Sequence, residues 1–278
     1  MGKNQNVRFL LEYDGSCFGG WQRVDNGKKP SIQGTLEQVL KKSLTEVSGG
    51  QKELYRQEKI QVIGSGRTDA GVHALRQVAN VHLPLPVWQE KTPEEWRSYW
   101  NDRLPAGLRI RMAEEAPPMF HSRYDAVSKV YGYVFDIREV PSAFAGKYAY
   151  WIGDGEVGGK AGGWNWEAVQ RASMLLTGEH DFSAFSSNME PGRGTVRTIT
   201  RLEWKTLRQR GGEFFIFEVE GNGFLYHMVR ILAGTLYEVG AGRRKPESIL
   251  EAFRSGKRQD AGLTLPGYGL FLKEVSYV

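Results

Sequence analysis

Apolar and polar positions along the 278-residue chain switch between a period near two and a period near 3.6, and the switches mark out two runs of similar order. Residues 7–13 read as a strand. A helix is predicted over 31–47, where Ser31 offers an N-cap hydroxyl and Ile32, Leu36, Val39, Leu40 and Leu44 recur at helical spacing. Strands follow at 59–63 and 77–83, then a helix at 93–103 and a strand at 108–113. In the strand at 77–83, Ala79, Val81 and Leu83 alternate with Asn80 and His82, the pattern of one buried and one polar face. Periodicity dissolves over 114–128, which contains Ala116-Pro117-Pro118 and is assigned as a linker. The second run reads strand 130–137, helix 164–176, strands 195–204 and 213–220, helix 226–239, short helix 246–254 and strand 269–275. The expectation is an α+β protein of two ferredoxin-like halves, 1–113 and 129–278. Their mixed, mainly antiparallel sheets are flanked by helices, with an active-site cleft between the halves.

The pattern breaks most informatively at Gly64-Ser65-Gly66-Arg67-Thr68-Asp69-Ala70-Gly71-Val72-His73-Ala74, a loop far longer than a hairpin between two strands requires. It sets one carboxylate, Asp69, among three glycines and beside Arg67. Known glycine motifs fail here. A phosphate-binding loop needs Lys and Ser or Thr after its second glycine, but Val72-His73 follows Gly71; a dinucleotide fingerprint needs a glycine where Asp69 stands. A guanidinium close to a carboxylate favours the ionised form, so the pair suits a nucleophile or base as well as a structural ion pair pinning a loop.

Two other patterns carry chemistry. On the strand at 130–137, Tyr131, Tyr133, Phe135 and Ile137 share one face. Such a stripe is ordinarily core, yet a tyrosine on an open sheet face is also what a splayed base stacks on, a role open to Tyr131 or Tyr133. The helix at 226–239 is apolar almost all round and carries Arg230, with His227 one turn earlier. A buried guanidinium without a partner costs several kcal/mol, about as much as folding can spare, so Arg230 must meet a carboxylate, a phosphate or buried carbonyls, or else snorkel to solvent.

Composition narrows the picture. No apolar run approaches a membrane span and residues 1–6 carry no signal segment, so a cytoplasmic protein is expected. Asn6 argues against myristoylation at Gly2. The single cysteine, Cys17, excludes an intramolecular disulfide and a multi-cysteine zinc site, and the five histidines lack the spacing of helical metal ligands, so no metal is expected. A net charge of +5 and a pI near 9.2 suit a nucleic-acid partner without requiring one.

Taken together, these residues resemble the tRNA pseudouridine synthase A family. The likeness runs from Glu12-Tyr13-Asp14-Gly15 and Gly20-Trp21-Gln22-Arg23 through Ser31-Ile32-Gln33 and the stretch 66–74 to Phe120-His121-Ser122-Arg123-Tyr124 and Lys129-Val130-Tyr131-Gly132-Tyr133. It continues with Gly178-Glu179-His180-Asp181-Phe182, the segment 223–230 and Gly269-Leu270-Phe271-Leu272. The resemblance implies an isomerase that converts uridine to pseudouridine at tRNA positions 38 to 40 in the anticodon stem-loop. It further implies that Asp69 is the essential catalytic group, that Arg67 helps displace the target base, that Tyr131 stacks on the uracil and that Arg230 pairs with the catalytic carboxylate. A homodimer needing no cofactor or metal is implied as well. The chain departs from the family pattern in long segments at 46–58 and 153–163 and at Leu263-Thr264-Leu265-Pro266-Gly267-Tyr268. Two rival readings use the same residues: an RNA or nucleoside glycosylase, which would want a second carboxylic acid, and an RNA-gripping module without chemistry.

Overall fold

A computed structural model describes residues 4–22, 29–47, 55, 58–153, 163–188, 194–209 and 212–278. It is an α+β chain that separates into two compact units. One comprises Met1–Val127 with Leu272–Val278, the other Ser128–Phe271.

The first unit follows the predicted order: β1 (Asn4–Tyr13), α1 (Ile32–Val47), β2 (Ile63–Gly64), β3 (His73–Pro84), a one-turn helix α2 (Leu85–Trp88), α3 (Pro93–Asn101) and β4 (Leu108–Glu115). The strands run antiparallel in the order β4-β1-β3, with β2 also on β3. Val7, Phe9, Leu11 and Tyr13 alternate inward along β1 and are buried, as the period of two requires. Against them α1 buries Ile32, Leu36, Leu40 and Leu44. Ser31 caps α1 by accepting the Gly34 amide proton at 3.0 Å. A capping box between Thr92 and Glu95 starts α3, which buries Trp96 and Trp100; Trp100 meets Phe9 edge-on at 5.4 Å.

Four expectations for this unit are corrected. The strand at 59–63 shrinks to Ile63–Gly64, because side chains of α1 take the backbone groups a ladder would use. Gln33 Nε2 donates to Val62 O at 3.1 Å, and Val62 N donates to Glu37 Oε1 at 3.0 Å. Asn80 is buried rather than on an open polar face, since its amide bridges Asn6 Oδ1 (3.0 Å) and the Ser122 amide (3.0 Å). Segment 114–128, expected as the linker, is strand at both ends: β4 extends to Glu115 and β5 begins at Ala126. The final strand, β10 (Leu270–Tyr277), belongs from Leu272 onward to the first unit, where it lies beside β3 and Tyr277 OH donates to Ser122 O at 2.6 Å.

The second unit contains β5 (Ala126–Asp136) from Ser128 onward, a two-residue β6 (Tyr150–Trp151), α4 (Trp166–Leu176), β7 (Gly178–Asp181), β8 (Val196–Gln209), β9 (Gly212–Gly221), α5 (Met228–Gly240) and α6 (Ser248–Ser255). Its antiparallel order is β5-β9-β8-β7, with β6 running parallel to the end of β5. Tyr131, Tyr133 and Phe135 pair across the ladder with Val219, Phe217 and Phe215, making one buried face. Every residue of α5 except Arg230 and Glu238 is buried, which accounts for its all-round apolar sequence. β6 and β7 are too short to show a period. The long stretch at 153–163 falls almost entirely outside the described residues, as does most of 46–58.

Candidate active site

The glycine-rich loop is held from beneath by buried hydroxyl and amide groups. Ser65 N donates to Val78 O at 2.8 Å, and Ser65 Oγ donates to Gln77 Oε1 at 2.5 Å. Gln77 Nε2 in turn donates to Gly66 O at 3.0 Å and reaches the Tyr13 hydroxyl at 3.4 Å. The Tyr13 and Thr68 hydroxyls share a hydrogen bond of 2.8 Å. Burial raises the Tyr13 phenol well above its usual range, although its bonds to Thr68 and Gln77 pull the other way, so it stays a neutral partner. Tyr13, Ser65, Thr68 and Gln77 lie outside the candidate residues named from the sequence. The signal was there in the phase of β1, which turns Tyr13 inward with Val7, Phe9 and Leu11.

A second strand of chain presses on the loop from the side. Trp21 N donates to Thr68 O at 2.9 Å, which brings Gly20 against the backbone of the acid itself. A Cβ at Gly20 would lie 3.0 Å from Thr68 O, 3.1 Å from Ala70 N and 3.2 Å from Asp69 C, and its φ of +103° is one that side chains resist. Val72 N donates to Asp69 O at 3.1 Å and closes the turn. Asp69 is thus half-buried on a backbone fixed on both sides, while Arg67 is exposed. His73, which follows the turn, is buried. Gly15 N donates to its Nδ1 at 3.1 Å, while Asp14 Oδ1 lies 3.2 Å from the same nitrogen.

In the second unit, Tyr131 on β5 is 8 % exposed and meets Phe224 edge-on at 5.2 Å. Tyr133 is wholly buried and donates its hydroxyl to Pro266 O at 2.9 Å, so it is fully committed to the core, and Tyr131 beside it on the same face is buried too. Burial holds the Tyr133 phenol well above the usual range. Arg230 is half-buried on α5, where Nε donates to Leu265 O at 2.6 Å and Leu265 N donates back to Arg230 O at 3.3 Å. A carbonyl is therefore one partner of this guanidinium. The contact is possible because segment 262–266 lies flat on α5. A Cβ at Gly234 would lie 2.0 Å from Leu263 O, and Gly262 N donates to Thr235 Oγ1 at 2.9 Å. His227, just before α5, takes a left-handed conformation (φ 61°) and its Nδ1 lies 3.0 Å from Ser187 Oγ. Asp69 and Arg67 therefore share one loop of the first unit, and Tyr131 and Arg230 stand on β5 and α5 of the second. Among the described residues no group of three or more metal-ligating side chains is assembled, and no helix is long and apolar enough to cross a membrane.

Residues 10–125 and 172–278 match a family model described as tRNA pseudouridine synthase. Asp69, Arg67 and Arg230 lie within the matched segments, and Tyr131 lies between them. Curated relatives extend over nearly the whole chain. A protein of Acetivibrio thermocellus named tRNA pseudouridine synthase A is 38% identical over 274 residues, covering 98% of this chain and 100% of the relative. One of the same name from Bacillus sp. (strain KSM-64) is 38% identical, covering 98% and 99%. Another from Clostridium tetani, named tRNA pseudouridine synthase A 2, is 36% identical with the same coverage.

Proposed function

The chain belongs to the tRNA pseudouridine synthase family, and from that premise we propose that its targets are the uridines at positions 38 to 40 of the anticodon stem-loop, with Asp69 as the essential catalytic group. It is an isomerase acting on tRNA uridine. The observation that carries the reading of the site is the doubly clamped backbone of Asp69, with Thr68 held by Tyr13 and Trp21 on one side and the Asp69–Val72 turn closed on the other. A group that must meet one carbon of a displaced nucleotide needs that fixity.

The reaction breaks the bond between uracil N1 and C1′ of the ribose, turns the base and joins C5 to C1′. N1 gains a proton and C5 loses one to solvent, so no oxidant or donor group is consumed. An ionised Asp69 serves each of three routes: addition to C1′, addition to C6 of the uracil, and removal of a sugar proton. The target nucleotide must first leave the stack, at a cost of a few kcal/mol. Stacking on Tyr131 and a cationic contact from exposed Arg67 offset that cost. In this reading Arg230 supplies the positive charge facing the Asp69 carboxylate, and its bonds with Leu265 hold it in place. The working protein is a cytoplasmic homodimer.

Stem-loop transcripts carrying uridine at only one of positions 38, 39 and 40, with a fourth carrying uridine only elsewhere, test the specificity. Pseudouridine is expected in one or more of the first three and not in the fourth. Conversion confined to the fourth refutes the assignment of positions. Free uracil as the product would favour the glycosylase reading instead.

A further inference from the structure

The segment between β4 and β5, which looks like a linker in sequence, is one of the most firmly tied parts of the first unit. Asn6 Nδ2 donates to Pro117 O at 2.9 Å and to Phe120 O at 2.8 Å. Ser122 is fully buried; its amide donates to Asn80 Oδ1, its hydroxyl donates to Ile63 O at 2.6 Å, and its carbonyl accepts from Tyr277 OH at 2.6 Å. Ile63 opens the loop that carries Asp69, so this segment and that loop share one buried polar anchor.

From that anchor a tight turn projects outward. Tyr124 N and Asp125 N both donate to His121 O, at 3.1 and 3.0 Å, and His121 N donates to Asp125 Oδ2 at 2.9 Å. The amides of Arg123 and Tyr124 each approach His121 Nδ1 at 3.2 Å, so the ring is an acceptor at that nitrogen. The turn presents Tyr124, 76 % exposed, and Met119 just before it is 89 % exposed. The Tyr124 ring is nevertheless ordered, with the His121 ring 4.2 Å away at 30° and the Arg123 guanidinium 5.9 Å from its centroid. An open aromatic face beside a cation, on a backbone already fixed, is the arrangement that grips an unstacked base and its phosphate.

We propose that this turn, through Tyr124 and Arg123, is a second nucleotide-stacking surface that holds a tRNA base other than the reacting uridine. The proposal rests on tRNA being the substrate, and it is independent of which acid performs the chemistry. Because the turn and the Asp69 loop share their anchor, a base held here fixes the register of the RNA relative to the reacting carboxylate.

The test is equilibrium binding of fluorescently labelled tRNA to the full-length protein, by anisotropy across a range of salt concentrations. Tyr124→Ala should weaken binding about 5- to 150-fold without changing the slope of log affinity against log salt, whereas Tyr124→Trp should bind like the wild type. Arg123→Gln should make that slope shallower by about one. Unchanged thermal midpoints are expected for all three, since both side chains are exposed. The proposal is overturned if Tyr124→Ala binds within twofold of wild type, or if Tyr124→Leu restores binding while Tyr124→Trp does not. That second result would mark an apolar protein-docking face. Tritium release measured in parallel separates this idea from the catalytic one. Tyr124-dependent binding in a protein that releases no tritium would refute the reaction and leave the stacking surface standing.

Discussion

Replacing Gly234 by Ala sets two physical effects against each other, and the structure decides the sign. In an isolated helix the change gains about 1 kcal/mol of helix propensity. Here the new methyl would sit 2.0 Å from Leu263 O and 2.8 Å from Leu263 C, both backbone atoms that no rotamer change can move aside. Segment 262–266 must lift, and overpacking of this kind costs about 1–3 kcal/mol. Lifting also stretches three hydrogen bonds: Arg230 Nε to Leu265 O, Leu265 N to Arg230 O and Gly262 N to Thr235 Oγ1, each worth about 1 kcal/mol. With all three bonds lost, the balance is a net loss of about 3–5 kcal/mol. Urea unfolding of Gly234→Ala should show it, and turnover should fall as Arg230 loses its bonds to Leu265. In a double-mutant cycle, Arg230→Ala should cost less on the Gly234→Ala background than alone, since one change has already undone part of what the other removes. A Gly234→Ala protein as stable as the wild type, or more so, would refute the reasoning.

Thr68→Val removes the buried partner of the Tyr13 hydroxyl and should cost about 1–3 kcal/mol, with activity falling further than stability alone explains because the Asp69 loop loosens; denaturant melts and turnover together check this. Tyr13 and Tyr133 are buried phenols whose acidity is suppressed, so above about pH 10 the unfolded chain releases protons that the folded chain keeps. Stability should therefore be level with respect to these groups below about pH 10 and fall as pH rises, by up to about 1.4 kcal/mol per pH unit for each phenol. Tyr13→Phe and Tyr133→Phe should flatten that fall in urea titrations at pH 9 to 11. Tyr131→Ala should reduce turnover more than tRNA affinity, and equal losses in single-turnover kinetics and binding would assign Tyr131 a general binding role.

Much of the secondary structure was legible because it follows from local rules. The Ser31 cap, the leucine spacing of α1 and the Thr92–Glu95 capping box each lie within a few residues of what they control. What escaped was set by distant partners. The loss of a strand at 59–63 depends on Gln33 and Glu37, and the burial of Asn80 depends on Asn6 and Ser122, 74 and 42 residues away. Nothing local tells the last seven residues to join the first unit. In the site, Asp69 stood out because its glycine-flanked surroundings have no rationale as a simple hairpin. Its supports did not, since Tyr13, Thr68 and Gln77 look like ordinary strand and loop residues until the fold aligns them. The left-handed backbone at His227 has no glycine or asparagine to announce it.

The proposed chemistry depends most on the carboxylate of Asp69. The direct measurement is tritium release from tRNA labelled at uridine C5, comparing wild type with Asp69→Asn, alongside tRNA binding by both proteins. Release by the wild type, none by Asp69→Asn and similar affinity for tRNA are the predicted results. An Asp69→Asn protein that still releases tritium at a rate near the wild type would contradict the assignment.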